Sequence, residues 1–254
     1  MRNRVYFISD VHIGWGPERK ARERQDRLIG FLRAIREDAE ALYIVGDLFD
    51  FWFEYRSVVP SAGMRVLFEL HGLVEAGIPV ACVPGNHDLW LGPFLSEEVG
   101  ITILPNRSVV RRQGLRICLD HGDDLLGGVR YRLMKRILRN PASIALFRLL
   151  HPDLGALLAR MVSNRPEPAG GPGDRRAGSL IDPYYREALR RFGAEAEIVV
   201  FGHLHLPVLR RDERGTLVVL GDWIKHFTYA VLEGGAIEIK KWEGSRGVPL
   251  ERPY

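Results

Sequence analysis

The chain contains two cysteines, Cys82 and Cys118. Both fall inside apolar runs, so a disulfide framework is excluded and they read as small buried hydrophobes of a reducing compartment. No run of 18 uninterrupted apolar residues occurs, so no transmembrane helix is expected. The basic start Met1-Arg2-Asn3-Arg4 leads into only four apolar residues before Ser9-Asp10. That is too short for the apolar region of a signal peptide, and a cytoplasmic protein is expected. Charge of one sign is also scarce: 36 basic against 32 acidic residues leave a net +4. So mild an excess gives no reason to expect a nucleic-acid partner. No internal repeat is visible. What is present, 46% hydrophobic and 27% charged residues in 254 positions, suits one globular domain with a sizeable core.

Five short sequences carry metal-binding chemistry: Asp10-Val11-His12, Gly46-Asp47, Gly85-Asn86-His87-Asp88, His121-Gly122-Asp123 and Gly202-His203-Leu204-His205. Each follows a short apolar run that reads as a buried strand, such as Val5-Tyr6-Phe7-Ile8 or Ile198-Val199-Val200-Phe201. Strands ending in polar loops place chemistry at one edge of an α/β sheet. The loops together supply Asp10, His12, Asp47, Asn86, His121, His203 and His205. A tetrahedral ion wants about four donors, so seven imidazole, carboxylate and amide donors imply two ions. That donor set suits Mn, Fe, Zn, Co or Ni. Asp10 and His12 are expected to alternate along a strand end and so share one side, as are His203 and His205. Glycine before Asp47, Asn86 and His203 removes a Cβ where the chain must turn sharply.

Taken singly, Asp-X-His and Gly-Asp are ordinary surface and turn chemistry. It is the five together, each at a strand end, that point to one centre. Three other histidines fall outside the set: His71 and His151 read as structural. His226, after a late strand pair, could lie near a substrate, but a structural role is favoured.

The order of elements alternates strand and helix, with helices expected over 23–40, 61–76 and 182–192. Between His121 and His203 the pattern changes. Residues 127–165 read as an inserted helical lid without metal donors, and 166–178, rich in Pro, Gly and Arg, as a flexible loop. The remaining 1–126 and 179–254 form the core. The end of the chain reads as a meander of four strands. In the insert, Arg132, Lys135, Arg136 and Arg139 share one helical face, with Leu133, Met134, Ile137 and Leu138 opposite. Such a helix can lie on an anionic membrane, though an ordinary surface helix packed on the core is the preferred reading.

The motif series, spanning 5–206, resembles the calcineurin-like metallophosphoesterase superfamily. The resemblance implies a four-layer αββα sandwich, α/β in class, with the insert as a lid. It implies one metal on Asp10, His12, Asp47 and His205 and another on Asp47, Asn86, His121 and His203, with Asp47 bridging. His87 matches the histidine that contacts the phosphate and can protonate the leaving oxygen, and Asp88 the residue that orients it. More narrowly, Gly46-Asp47-Leu48-Phe49-Asp50-Phe51-Trp52, His121-Gly122-Asp123 and the insert with Arg139-Asn140-Pro141 and Ala159-Arg160-Met161 resemble the UDP-2,3-diacylglucosamine pyrophosphohydrolases of lipid A biosynthesis. This implies a lipid-linked UDP-sugar substrate, Mn as the usual metal with Fe or Zn as alternatives, and a peripheral position on the cytoplasmic face of the inner membrane. Asn86, His87, Tyr131, Ser163, Asn164 and Arg165 become candidate substrate contacts. Trp52, Phe53 and Tyr55 either wall a nucleotide or glucosamine pocket or simply pack under the lid. At one position the chain departs from the best-known branch, which has Arg where His87 stands. A phosphodiesterase or phosphatase acting on nucleotides or another UDP-sugar is therefore carried as the alternative, and a non-catalytic metal-stabilised scaffold as a second. Nothing in the sequence sets the oligomeric state.

Overall fold

Apolar runs bounded by Gly, Asp and Asn become strands, and longer amphipathic stretches between them become helices. The computed structural model describes residues 2–163 and 177–250, with side chains for all of these except 159–163 and 177. The chain runs from β1 (Arg4–Ile8) through α1 (Glu18–Ile35), β2 (Ala39–Val45) and α2 (Met64–Glu75) to β3 (Val80–Val83). A short helix α3 (Pro93–Glu97) precedes β4 (Thr102–Ile103), β5 (Ser108–Arg112) and β6 (Leu115–Asp120). Four consecutive helices then interrupt the strands: α4 (Asp123–Leu126), α5 (Val129–Leu138), α6 (Pro141–Phe147) and α7 (Pro152–Ser163). Helix α8 (Ala177–Arg191) leads to β7 (Ile198–Phe201), β8 (Pro207–Asp212) and β9 (Gly215–Leu220). The chain closes with β10 (Thr228–Glu233), β11 (Ala236–Trp242) and β12 (Gly247–Pro249).

The strands form two sheets, ordered β12-β11-β10-β1-β2-β3-β4 and β5-β6-β7-β9-β8. Side chains alternate across each strand, which sorts the core into three layers. Val5 and Phe7 face the second sheet and meet Leu119 and Val200. Tyr6 and Ile8 face the other way, onto Leu28, Phe31 and Leu70 of α1 and α2. On the far side, Val199 and Phe201 pack on Tyr184 and Ala188 of α8. The result is helix, sheet, sheet, helix, an αββα sandwich.

Three element boundaries differ from the sequence reading. Helix α1 spans Glu18–Ile35 rather than 23–40. The Asp38 carbonyl accepts the N–H groups of Asn3 and Arg4 and so draws the chain into β2. Helix α2 starts at Met64, three residues later than expected. Helix α8 starts at Ala177, five residues earlier than expected, and runs through Pro183. The candidate contacts Asn164 and Arg165, and the side chain of Ser163, lie outside the described residues. Both cysteines are buried and free.

Candidate metal centre

Strands β1, β2 and β3 of one sheet and β6 and β7 of the other deliver their following loops to one place. The strand alternation expected for Asp10–His12 and His203–His205 is not how this is done. Strand β1 ends at Ile8, and Asp10, His12, Asp47, His203 and His205 all adopt left-handed backbone, with φ between 49° and 66°. They are five of the eight non-glycine residues with positive φ among those described. Each such conformation costs on the order of 1 kcal/mol or more, so backbone strain is concentrated where the donors converge. Glycine makes the convergence possible. A Cβ on Gly85 would overlap the Asp47 carboxylate, and one on Gly46 would overlap the His121 ring.

Three groups of donors lie within reach of a common ion: Asp10 with His12 and His205, Asp47 with His121 and His203, and His12 with Asp47 and His87. His205 Nε2 is 3.3 Å from Asp10 Oδ1, and His12 Nε2 is 3.8 Å from it. Asp47 Oδ2 stands between the two sides, 3.7 Å from His12 Nε2 and 3.3 Å from His121 Nε2. The donor chemistry fits cations. His121 Nδ1–H donates to the Val45 carbonyl at 3.0 Å, which turns the Nε2 lone pair toward the Asn86 amide oxygen at 3.1 Å and toward Asp47. Acceptors facing one another across that gap call for a positive ion. Asp10 Oδ1 and His12 Nε2 are buried without a hydrogen bond among the described residues. The electrostatics agree. Burial opposes charge on His12, yet Asp10, Asp50 and Asp47 outweigh it and pull its pKa up to about 10. His203, desolvated and beside His121, falls to about 4.

Around the donors lies a set of carboxylates with different duties. The sequence reading gives Asp88 as the residue that orients His87, but the structure assigns that geometry to Asp50. His87 Nδ1–H donates to the Asp50 carbonyl at 3.1 Å, and Asp50 Oδ1 is 3.3 Å away; the same carboxylate oxygen is 3.7 Å from His12 Nδ1. Asp88 is fully buried and accepts instead the backbone N–H groups of Asp47, Leu48, Phe49 and Gly85 at 2.7–3.3 Å. It pins two donor loops together. Burial, then the Asp47 carboxylate, pushes its own pKa up to about 6. Asp222, unnoticed in the sequence, takes His226 Nδ1 at 2.9 Å and lies 3.8 Å from His205 Nδ1, so His226 is an anchor behind the centre. Arg24, also unnoticed, is buried and donates to the carbonyls of His12 and Trp15 at 2.7 and 3.0 Å.

A cavity of about 510 Å³ opens over these donors, with Trp15, Tyr131, Leu126, Leu180 and Ile224 among its other walls. The Tyr131 hydroxyl donates to Asp123 Oδ2 at 2.5 Å, and Lys135 Nζ lies 2.6 Å from the same oxygen. Helix α5 is thereby tied to the loop that carries His121. This corrects the reading of α5 as a basic face backed by a packed apolar one. Lys135 is only 6% exposed, whereas Leu133 and Ile137 are 55% and 54% exposed. The helix buries its lysine and turns leucine and isoleucine outward. The insert is held to the core by an aromatic cluster in which Phe147 lies 4.6 Å from Phe53 and 5.0 Å from Trp90. Trp52 is fully buried against Phe49 and is core packing, not a pocket wall. Phe53 and Tyr55 line a second cavity beside α7.

The comparisons with known proteins follow the same line. The family profile described as calcineurin-like phosphoesterase matches residues 3–207. The chain is 34% identical over 261 residues to the UDP-2,3-diacylglucosamine hydrolase of Porphyromonas gingivalis, covering 96% of this chain and 99% of that protein. It is 30% identical over 255 residues to the UDP-2,3-diacylglucosamine hydrolase of Neisseria meningitidis serogroup B, covering 98% of each. The solved structure of an archaeal phosphodiesterase superposes with a TM-score of 0.49 at 12% identity, covering 97% of this chain and 99% of that one.

Proposed function

Because the chain belongs to the calcineurin-like phosphoesterases, which act with divalent metal ions, we propose that it hydrolyses the diphosphate of UDP-2,3-diacylglucosamine at the α-phosphorus. The products are UMP and 2,3-diacylglucosamine 1-phosphate. The observation that carries the reading is the Asp47 carboxylate standing between two donor sets, one of Asp10, His12 and His205 and one of Asn86, His121 and His203. These seven residues would hold two ions, Mn in the first instance, with Fe or Zn able to replace it. When bound, such a pair neutralises phosphoryl charge and lowers the pKa of the attacking water.

The chain's own residues supply the rest. The Asp50 carbonyl accepts from His87 Nδ1–H, which supports Nε2 as the atom that meets the leaving oxygen. Burial opposes charge on His87, but Asp47 and Asp50 shift its pKa above the usual imidazole value, which supports His87 as the proton donor. Asn86 and Tyr131 line the metal cavity, which supports them as contacts of the diphosphate and sugar. Helices α5, α6 and α7 act as a lid over the described parts of the core. The cavity beside α7, walled by Phe51, Phe53, Tyr55, Val58 and Val59, is apolar enough for acyl chains. Outward-facing Leu133 and Ile137, beside exposed Arg132 and Arg136, suit peripheral contact with an anionic inner membrane from the cytoplasmic side. No described helix is long and apolar enough to cross a membrane.

Incubation of the Mn-loaded protein with UDP-2,3-diacylglucosamine should release UMP. In ¹⁸O-labelled water the label should enter UMP, because attack is at the α-phosphorus. Label in the sugar phosphate would move the attack to the other phosphorus. Absence of UMP would leave a nucleotide phosphodiesterase in its place.

A further inference from the structure

Three cavities meet at Asp50. The metal cavity reaches Asp50 and Trp15. The apolar cavity beside α7 begins at Asp50 and runs under Phe51 and Phe53. A third, of about 770 Å³, also begins at Asp50 and Trp15 and lies between the starts of α1 and α2. Glu18, Ala21, Ala62 and Met64 share its walls with four residues that can meet a nucleotide, Arg22, Gln25, Ser61 and Arg65. None of these four residues has a part in holding metal or moving protons.

We infer that this third cavity takes the nucleoside half of the substrate, with the uracil ring against the Trp15 indole. The inference rests on the reading of the substrate as a UDP-linked lipid, and it places the part of that molecule that the metal centre leaves unassigned. A UDP-diacylglucosamine has three chemically distinct parts: a diphosphate, acyl chains and a nucleoside. The diphosphate belongs at the metals and the acyl chains in the apolar cavity. The cavity with the cationic and amide side chains remains, and it touches the metal cavity at Trp15.

The position of Trp15 supports this. Arg24 donates to the carbonyls of both His12 and Trp15, and its guanidinium sits 5.4 Å from the centre of the indole. The half-buried ring is therefore fixed relative to a metal donor three residues away, at the junction of the two cavities. A flat aromatic wall accepts any base by stacking. The Gln25 amide, with one acceptor and two donors, can meet the N3–H and O4 edge of uracil. Arg65, steadied by Asp26 at 2.7 Å, and Arg22 add positive charge around the nucleotide.

The test is UMP binding to the Mn-loaded protein by calorimetry, together with KM for UDP-2,3-diacylglucosamine. Trp15→Ala should weaken UMP about tenfold or more, and Trp15→Phe should restore most of that loss. KM for the nucleotide substrate should rise at least tenfold more than KM for bis(p-nitrophenyl) phosphate. UMP binding unchanged by Trp15→Ala but weakened by Tyr131→Phe would put the nucleoside on the insert side and overturn the inference. So would failure of wild-type protein to bind UMP. If UMP binds through Trp15 and yet UDP-2,3-diacylglucosamine is not cleaved, the substrate reading fails while the nucleoside site stands.

Discussion

Asp88 accepts four backbone N–H groups across two loops, whereas Asp50 meets two imidazoles, so their losses should differ in kind. Asp88→Ala would strand buried donors at about 1–3 kcal/mol each. It should lower both thermal stability and metal content, as a melting curve and elemental analysis would show. Asp50→Asn keeps the shape but loses the charge beside His87. At saturating Mn it should bind both ions and turn over roughly 10²-fold more slowly, toward the lower end of what a positioned general acid contributes. Full turnover in this variant would remove Asp50 from the proton-transfer path. The donors themselves were legible because each sits a residue or two beyond an apolar run. The carboxylates behind them were not, because Asp50 Oδ1 meets a His87 ring 37 positions away and the hydrogen bonds made by Asp88 reach up to 41. Asp50 had one local sign, three residues after Asp47 in the same loop.

Among the elements, α5 is the one whose faces were misread. Periodicity placed Arg132, Lys135, Arg136 and Arg139 together, but it does not say which side meets the core. That was settled by Asp123, a buried carboxylate at the end of the His121 loop that takes Lys135. Lys135→Ala leaves that carboxylate without its main partner and should cost about 3–5 kcal/mol. Arg136→Ala, on the exposed side of the same helix, should stay within about 0.5 kcal/mol. Denaturant titration of the two variants would show whether α5 is docked this way. The outward apolar side gives a separate expectation. Leu133→Asp with Ile137→Asp should lower binding to anionic vesicles about tenfold or more, since each apolar side chain contributes roughly 1.5–3 kcal/mol when fully buried. Sedimentation with phosphatidylglycerol vesicles at low and high salt would measure it, and unchanged binding would place the membrane contact elsewhere.

Over the whole molecule, the donors bridge two sheets: Asp10, Asp47 and Asn86 follow strands of one, His121 and His203 strands of the other. Metal binding is therefore also a cross-link through the middle of the sandwich. At a hundred times the dissociation constant it should add about 2.7 kcal/mol, which for a chain of this size is a rise in Tm of roughly 5–10 °C. A chelator should reverse it, and a Tm indifferent to both would deny that the two sheets share an ion. The alternation of short apolar runs and amphipathic stretches made an α/β chain legible, while the αββα layering came from the family resemblance. The short strands β4, β5 and β12 were not, since strands of two to five residues at or near sheet edges carry too little pattern to stand out.

Strand β1 lies in the middle of its sheet, between β2 and β10. One neighbour is its near successor; the other is Thr228–Glu233, paired with it from Arg4↔Glu233 to Phe7↔Ala230. On the ribosome, then, Val5-Tyr6-Phe7-Ile8 must wait through the synthesis of some two hundred residues with one row of backbone groups unpaired. An apolar edge of this kind is a template for pairing with another chain. The growing polypeptide should depend on chaperone protection until β10 emerges. Truncation before residue 228 should yield aggregates rather than a smaller soluble protein.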